Sequence, residues 1–407
     1  MDIILKPFGN KVCTKQIQKA IDKVNQCGGG TVTLSSGNYL SGSIELKSNV
    51  CFNLSMGAVL KATGNISDFP YIGFMHNEMG PTKSVIWARN SENITLCGDG
   101  IIDFSDEYYY TLGTPTAYEI DGVELNQAQI AESVTLRTNS IENTINQPIF
   151  FESCKKITVK NLKFYHSTFW TLTFSRSEDI IVYGLDIDNR RVTGNSDGIH
   201  LSASKNAVIS NCNIKAGDDC IAVTCITAHG DVSENITITN CNFESTSAGI
   251  RLGHINARVK IVNISNINIT NSNRGIAIFA RENGMVSNVH ISNLNINTRV
   301  YAGGWWGKGE PLIICADSSN GQIENVTVSD VFAESENGVV IAGDNQNVRN
   351  VTINNFSIKL KSSENRELFG KALDLRPNSY TENFFQEPTE KFVRDSEVVF
   401  NNFKVIE

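Results

Sequence analysis

The sequence predicts an all-β fold: a single-stranded right-handed parallel β-helix with a short N-terminal capping helix. Two observations carry the prediction. A unit of the form apolar-x-(Asn/Gly/Asp)-x-x-apolar recurs along the chain, anchored on Asn161, Gly184, Asn211, Asn240, Asn266, Asn293, Asp330 and Asn355. Successive anchors lie 23, 27, 29, 26, 27, 37 and 25 residues apart, and a period in the twenties with short β-branched strands marks a solenoid of stacked coils. Amphipathic helical periodicity, in contrast, is confined to Thr14 to Gln26, where Ile17, Ala20, Ile21 and Val24 form one apolar stripe.

The helix is expected to close the N-terminal end of the solenoid, covering strand edges that would otherwise template aggregation. The cap takes in about residues 1–30, and an uninterrupted repeat makes residues 1–407 one elongated domain. Between Ser105 and Gln147 the repeat is interrupted by a segment containing Tyr108, Tyr109 and Tyr110, placed to wall off one end of a groove. A closed end favours attack on chain termini, hence exo action on short chains. The 37-residue interval holds a second insertion, Tyr301 to Pro311, in which Trp305 and Trp306 are flanked by glycines.

Composition narrows the partners. The formal charge is −8, the pI is near 5.4 and basic residues are scattered, which argues against nucleic acid. No apolar run approaches the ~18 residues of a membrane span. The opening Met1-Asp2-Ile3-Ile4-Leu5 has an acidic second residue and too short an apolar stretch for a signal peptide, so a cytoplasmic location is expected. Ten cysteines then read as buried thiols, with Cys212 and Cys241 at equivalent core positions. No Cys-x-x-Cys or Cys/His spacing implies a metal, and no cofactor is expected.

Aligning the anchors puts a second strand in register across coils: Trp170 to Thr173, Gly198 to Leu201, Cys220 to Val223, Gly249 to Leu252 and Gly275 to Ile278. The coil before Asp197 has five extra residues around Arg190 to Gly194, which must loop out. Period-two alternation points Ile199, Ile221, Ile250 and Ile276 inward and His200, Ala222, Arg251 and Ala277 outward. Asp197 and Asp219 precede neighbouring strands, so they should lie roughly 5 Å apart by backbone spacing, with Asp218 beside them. Three close carboxylates suit acid/base cleavage of a sugar linkage, since like charges so close cannot all ionise at neutral pH. A solvated acidic edge or a calcium site are the alternatives.

With these residues in view, the chain resembles glycoside hydrolase family 28, the polygalacturonase-like β-helix enzymes. The likeness rests on Gln26 to Val32, Gly37 to Gly42, Leu46 to Val50, Phe169-Trp170-Thr171, Asn195-Ser196-Asp197 and Gly217-Asp218-Asp219. It implies that Asp218 is the general acid and that Asp197 and Asp219 activate water, with inversion at the anomeric carbon. Two family motifs are absent: Ser247-Ala248-Gly249 stands in place of Gly-His-Gly, and Ala277-Ile278-Phe279 in place of Arg-Ile-Lys. These departures remove the reason to expect plain homogalacturonan as substrate.

Remaining candidates surround the acids. Arg251 and Arg281 are expected to hold an acidic sugar, or else to pair with an acid such as Glu282. Asn195, His200 and Trp170 are assigned to the substrate or to tuning the acid/base set. Trp305 and Trp306 are assigned to stacking on a sugar ring, and Glu310 to hydrogen-bonding a hydroxyl. The expected partner is an oligo- or polysaccharide. A uronate lyase or epimerase and a non-catalytic glycan-binding β-helix are the competing readings.

Overall fold

The computed structural model describes residues 1–76, 80–109, 119–120, 123–133, 143–225, 231–303, 306–316, 318, 320–371, 373–374, 381–382 and 389–407. Its coils stack as a parallel β-helix. One long sheet contains eleven parallel strands, each hydrogen-bonded to its equivalent in the next coil. Six of them carry the site: Leu172–Ser175, Ile199–Ser202, Ile221–Thr224, Ala248–Leu252, Arg274–Ala280 and Glu310–Ala316. The register aligns Ile199, Ile221, Ile250, Ile276 and Leu312, as the alternation predicts. These side chains enter one continuous buried core running from Cys13 to Ile358.

The repeat anchors are corner residues. Asn161, Gly184, Asn211, Asn240, Asn266, Asn293, Asp330 and Asn355 all adopt left-handed backbone conformations, with φ between 49° and 63°. Glycine and asparagine are the residues that reach this region at least cost, which explains why only Asn, Gly and Asp occupy the position. Their amides also pair between coils: Asn266 donates to Asn240 at 3.0 Å, and Asn293 to Asn266 at 2.7 Å. In later coils the bend does not interrupt the ladder, so the expected short strands fuse into Ser233–Ser245 and Arg258–Ser272.

The helix Thr14–Gln26 lies where the periodicity puts it, with Ile17, Ala20, Ile21 and Val24 buried against the first coils. Asp2–Leu5 adds a strand parallel to Gly30–Leu34 beside it. Cys212 and Cys241 are buried in adjacent coils, the Cys212 amide donating to the Cys241 sulfur at 3.5 Å. No described helix is long and apolar enough to cross a membrane.

The early insertion reaches far across the molecule. Its helix Gln127–Glu132 is capped by Asn126, and Leu125 packs with Val300, Ala302 and Phe369. Ser133 donates to the Ala302 carbonyl at 2.9 Å, and Gln129 donates to Asn365 at 2.8 Å. The segment thus ties a coil near the start of the catalytic sheet to loops near its far end.

Candidate active site

Asp197 and Asp219 occupy one column of the sheet, at the entrance to neighbouring strands. Their backbones are fixed by the ladder: the Thr171 amide and hydroxyl donate to the Asp197 carbonyl at 3.0 and 2.7 Å, and the Gly198 amide donates to the Asp219 carbonyl at 3.0 Å. The five extra residues do loop out, turning through a Thr193 amide to Arg190 carbonyl bond of 2.9 Å. That turn packs on Gly217, where a Cβ would collide with the Thr193 carbonyl oxygen, so the position ahead of the paired aspartates admits only glycine.

The carboxylates of Asp197, Asp218 and Asp219 converge, with one oxygen from each lying within 4.8 Å of the others, and all three side chains are buried. The expectation of roughly rung spacing is met. Asp218 Oδ1 accepts from the Asp219 amide at 2.9 Å, and the Asn195 amide lies 3.5 Å from Asp218 Oδ2. Asp219 is gripped on both oxygens: Oδ1 accepts from the Ser247 hydroxyl at 3.0 Å and the Ala248 amide at 3.3 Å, and Oδ2 pairs with Arg251 Nε. Burial works against the Arg251 charge, but the carboxylates of Asp219, Asp197 and Asp218 outweigh it and push its pKa further up. Its guanidinium partly offsets the negative charge of the cluster.

These acids line a pocket of about 200 Å³ with Trp170, Asn195, Ser247, Arg251, His254, Arg274, Phe279, Arg281 and Trp306. Five of the eight side chains assigned above to the substrate therefore face it. Trp306 is held by its carbonyl, which accepts from Asn273 at 3.2 Å. Arg281 is buried with its guanidinium carbon 5.2 Å from the Phe279 ring centre, and Arg274 stands 5.3 Å from the same ring. Trp305 lies outside the described residues.

Two assignments are corrected. Glu310 does not meet the pocket: it is fully buried, with one oxygen paired to Arg274 and the other accepting from the Lys308 amide at 2.6 Å. It neutralises an arginine one rung away in its own column. His200 is not a substrate-binding residue either, being wholly buried beneath Trp170 with ring centres 3.9 Å apart. Its Nε2 is 2.8 Å from the Thr224 hydroxyl and its Nδ1 is 3.5 Å from Asp197 Oδ2, so it backs an acid and touches no sugar. Arg251 reaches the pocket but is committed to Asp219 and not to Glu282, which accepts from Asn256 at 2.7 Å. Sequence reasoning missed Arg274, Phe279, His254 and Ser247 as pocket residues, although Arg274 falls in the column of Asp197 and Asp219.

Buried acids converging on a cleft in a parallel β-helix fit a glycoside hydrolase. The sequence profile of glycosyl hydrolases family 28 matches residues 120–369, more than half of the chain, and the chain belongs to that family. An endo-polygalacturonase of Pectobacterium carotovorum subsp. carotovorum is 23% identical over 355 residues, spanning 83% of this chain and 81% of its own. A hyperthermoactive exopolygalacturonase from Thermotoga maritima shares the fold with a TM-score of 0.73 at 16% identity, over 100% of this chain and 91% of its own. An endo-xylogalacturonan hydrolase from Aspergillus tubingensis has a TM-score of 0.60 at 12% identity, over 100% and 92%. Membership in a hydrolase family sets aside the lyase and binding-only readings.

Proposed function

We propose that the chain is an inverting glycosidase that acts from one end on a pectin-derived or other plant oligosaccharide that is not plain homogalacturonan. The observation that carries this reading is the convergence of three buried carboxylates from adjacent rungs at one pocket. Asp218 protonates the leaving oxygen, and Asp197 and Asp219 orient and deprotonate water on the other side of the ring. Exo action is supported by the length of the insertion between Ser105 and Gln147, whose Ser133 is tied to Ala302. Departure from homogalacturonan is supported by Ala277 and Phe279, which stand where an arginine and a lysine are expected.

A second stereochemical reading has its own support. One oxygen of each acid comes within 4.8 Å of the others, and retaining enzymes hold their two carboxyl groups closer, at about 5–5.5 Å, than the roughly 6.5–9.5 Å of inverting ones. Against attack by Asp219 stands the grip on both its oxygens, which suits a group that orients water. The test is digestion of a panel of oligogalacturonides, rhamnogalacturonan, xylogalacturonan and neutral plant oligosaccharides, with NMR of the first anomer released. A β-anomer from an α-linkage, as a single small product, is expected. Initial release of the α-anomer would overturn inversion, and a ladder of internal fragments would overturn exo action.

A further inference from the structure

We infer that Arg251 is a positioning residue: its guanidinium clamps Asp219 and leaves the working proton to Asp218 and Asp197, so that it acts on the acid/base set and not on the sugar. The inference rests on the proposed roles of the three aspartates. Arg251 sits in the outward column of the sheet between Ala222 and Ala277, both fully buried, whose methyl groups leave space for a guanidinium to lie along the sheet. From there it reaches back one rung to Asp219, which precedes Ala222 by three residues. Ala248, next to Asp219 in the same column, is too short to help with its side chain and contributes only its amide.

The nitrogens used decide between the two roles. A guanidinium that grips a sugar carboxylate bidentately would use Nε together with a terminal nitrogen, or both terminal nitrogens. Here Nε is spent on Asp219, and Nη1 donates to the Gly253 carbonyl at 3.2 Å, pinning the far end of the fork to its own strand. The other charged or titratable groups facing this cluster are Asp197 and Asp218, His200 behind Asp197, and His254, Arg274 and Arg281 across the pocket. Arg274 is paired with Glu310. Arg251 holds Asp219 directly through Nε. Without it, three carboxylates at this spacing must hold more protons at a given pH, which removes the base.

The experiment compares wild type, Arg251→Ala, Arg251→Lys and Asp218→Asn on a pectic oligosaccharide in its free-acid and methyl-esterified forms. For Arg251→Ala, kcat should fall on the order of 10²-fold while KM changes little for either form. The acidic limb of the kcat/KM profile should move to higher pH by about a unit or more. Guanidinium or ethylguanidinium chloride at low millimolar concentration should restore part of the rate, and ammonium should not. Arg251→Lys, which keeps charge without the fork, should stay impaired. Arg251→Met serves if the alanine variant does not fold. A KM rise confined to the free acid, with the pH profile unmoved, would make Arg251 a substrate contact and overturn the inference. Full activity of Asp218→Asn would instead overturn the roles of the aspartates, and an inactive Asp218→Asn beside a fully active Arg251→Ala would sink the inference alone.

Discussion

At the residue scale, the acids were legible because their position depends only on backbone register, while their partners were not, because long side chains travel. Alternation told which way Arg251 points but not that it bends back a rung to Asp219. Glu310 was misread because the long insertion before it hid that Arg274 precedes it in the same column. His200 illustrates a third limit: its outward direction was right, yet Trp170 lies over it and removes it from solvent. Its function is therefore tested by keeping the stack and deleting the nitrogens. In His200→Phe the ring still fills the space under Trp170, but Asp197 loses a neighbour and the Thr224 hydroxyl loses its partner. An unsatisfied buried hydroxyl costs about 1–3 kcal/mol, read as a lowered melting temperature. Removal of the imidazole behind Asp197 should also lower kcat, on the order of 10-fold. An unchanged kcat with the expected loss of stability would reduce His200 to a core residue.

At the element scale, the repeat anchors were visible as a pattern before their cause was. The left-handed corner favours Asn, Gly or Asp, and the spacing of those residues counted the coils without any knowledge of the strands. What the pattern hid was that a corner need not end a strand, so Arg258–Ser272 runs through Asn266 unbroken. Two contributions meet at Asn266: its φ of 57° and its place in the amide ladder between Asn240 and Asn293. They separate by substitution. Asn266→Ala should lose both, about 1–2 kcal/mol for the backbone plus roughly 0.5–1.5 kcal/mol for each net hydrogen bond. Asn266→Gly should recover most of the backbone part, since glycine accepts this conformation. Denaturant melts of both variants check the order; equal destabilisation would mean that the ladder alone matters.

At the scale of the whole molecule, a solenoid distributes stability by neighbours, because each rung is hydrogen-bonded only to the rungs on either side. The coils bearing Asp197, Asp219 and Arg251 have partners both ways along the catalytic sheet, with three strands before Leu172–Ser175 and four after Ala248–Leu252. The far end differs. Ser396–Val405 pairs only with Val348–Leu360 among the described residues, and its Val399 and Val405 are 53% and 54% exposed. The N-terminal coils, in contrast, are covered by the helix that periodicity located. Amide hydrogen exchange should therefore be slowest in Arg258–Ser272 and Met285–Thr298 and markedly faster in Ser396–Val405, with protection falling rung by rung toward that end. Equal exchange in all rungs would mean that the solenoid opens as one cooperative unit. If the gradient is found, the acids lie away from the end that opens most readily, which is what a reaction dependent on carboxylates held within 4.8 Å requires.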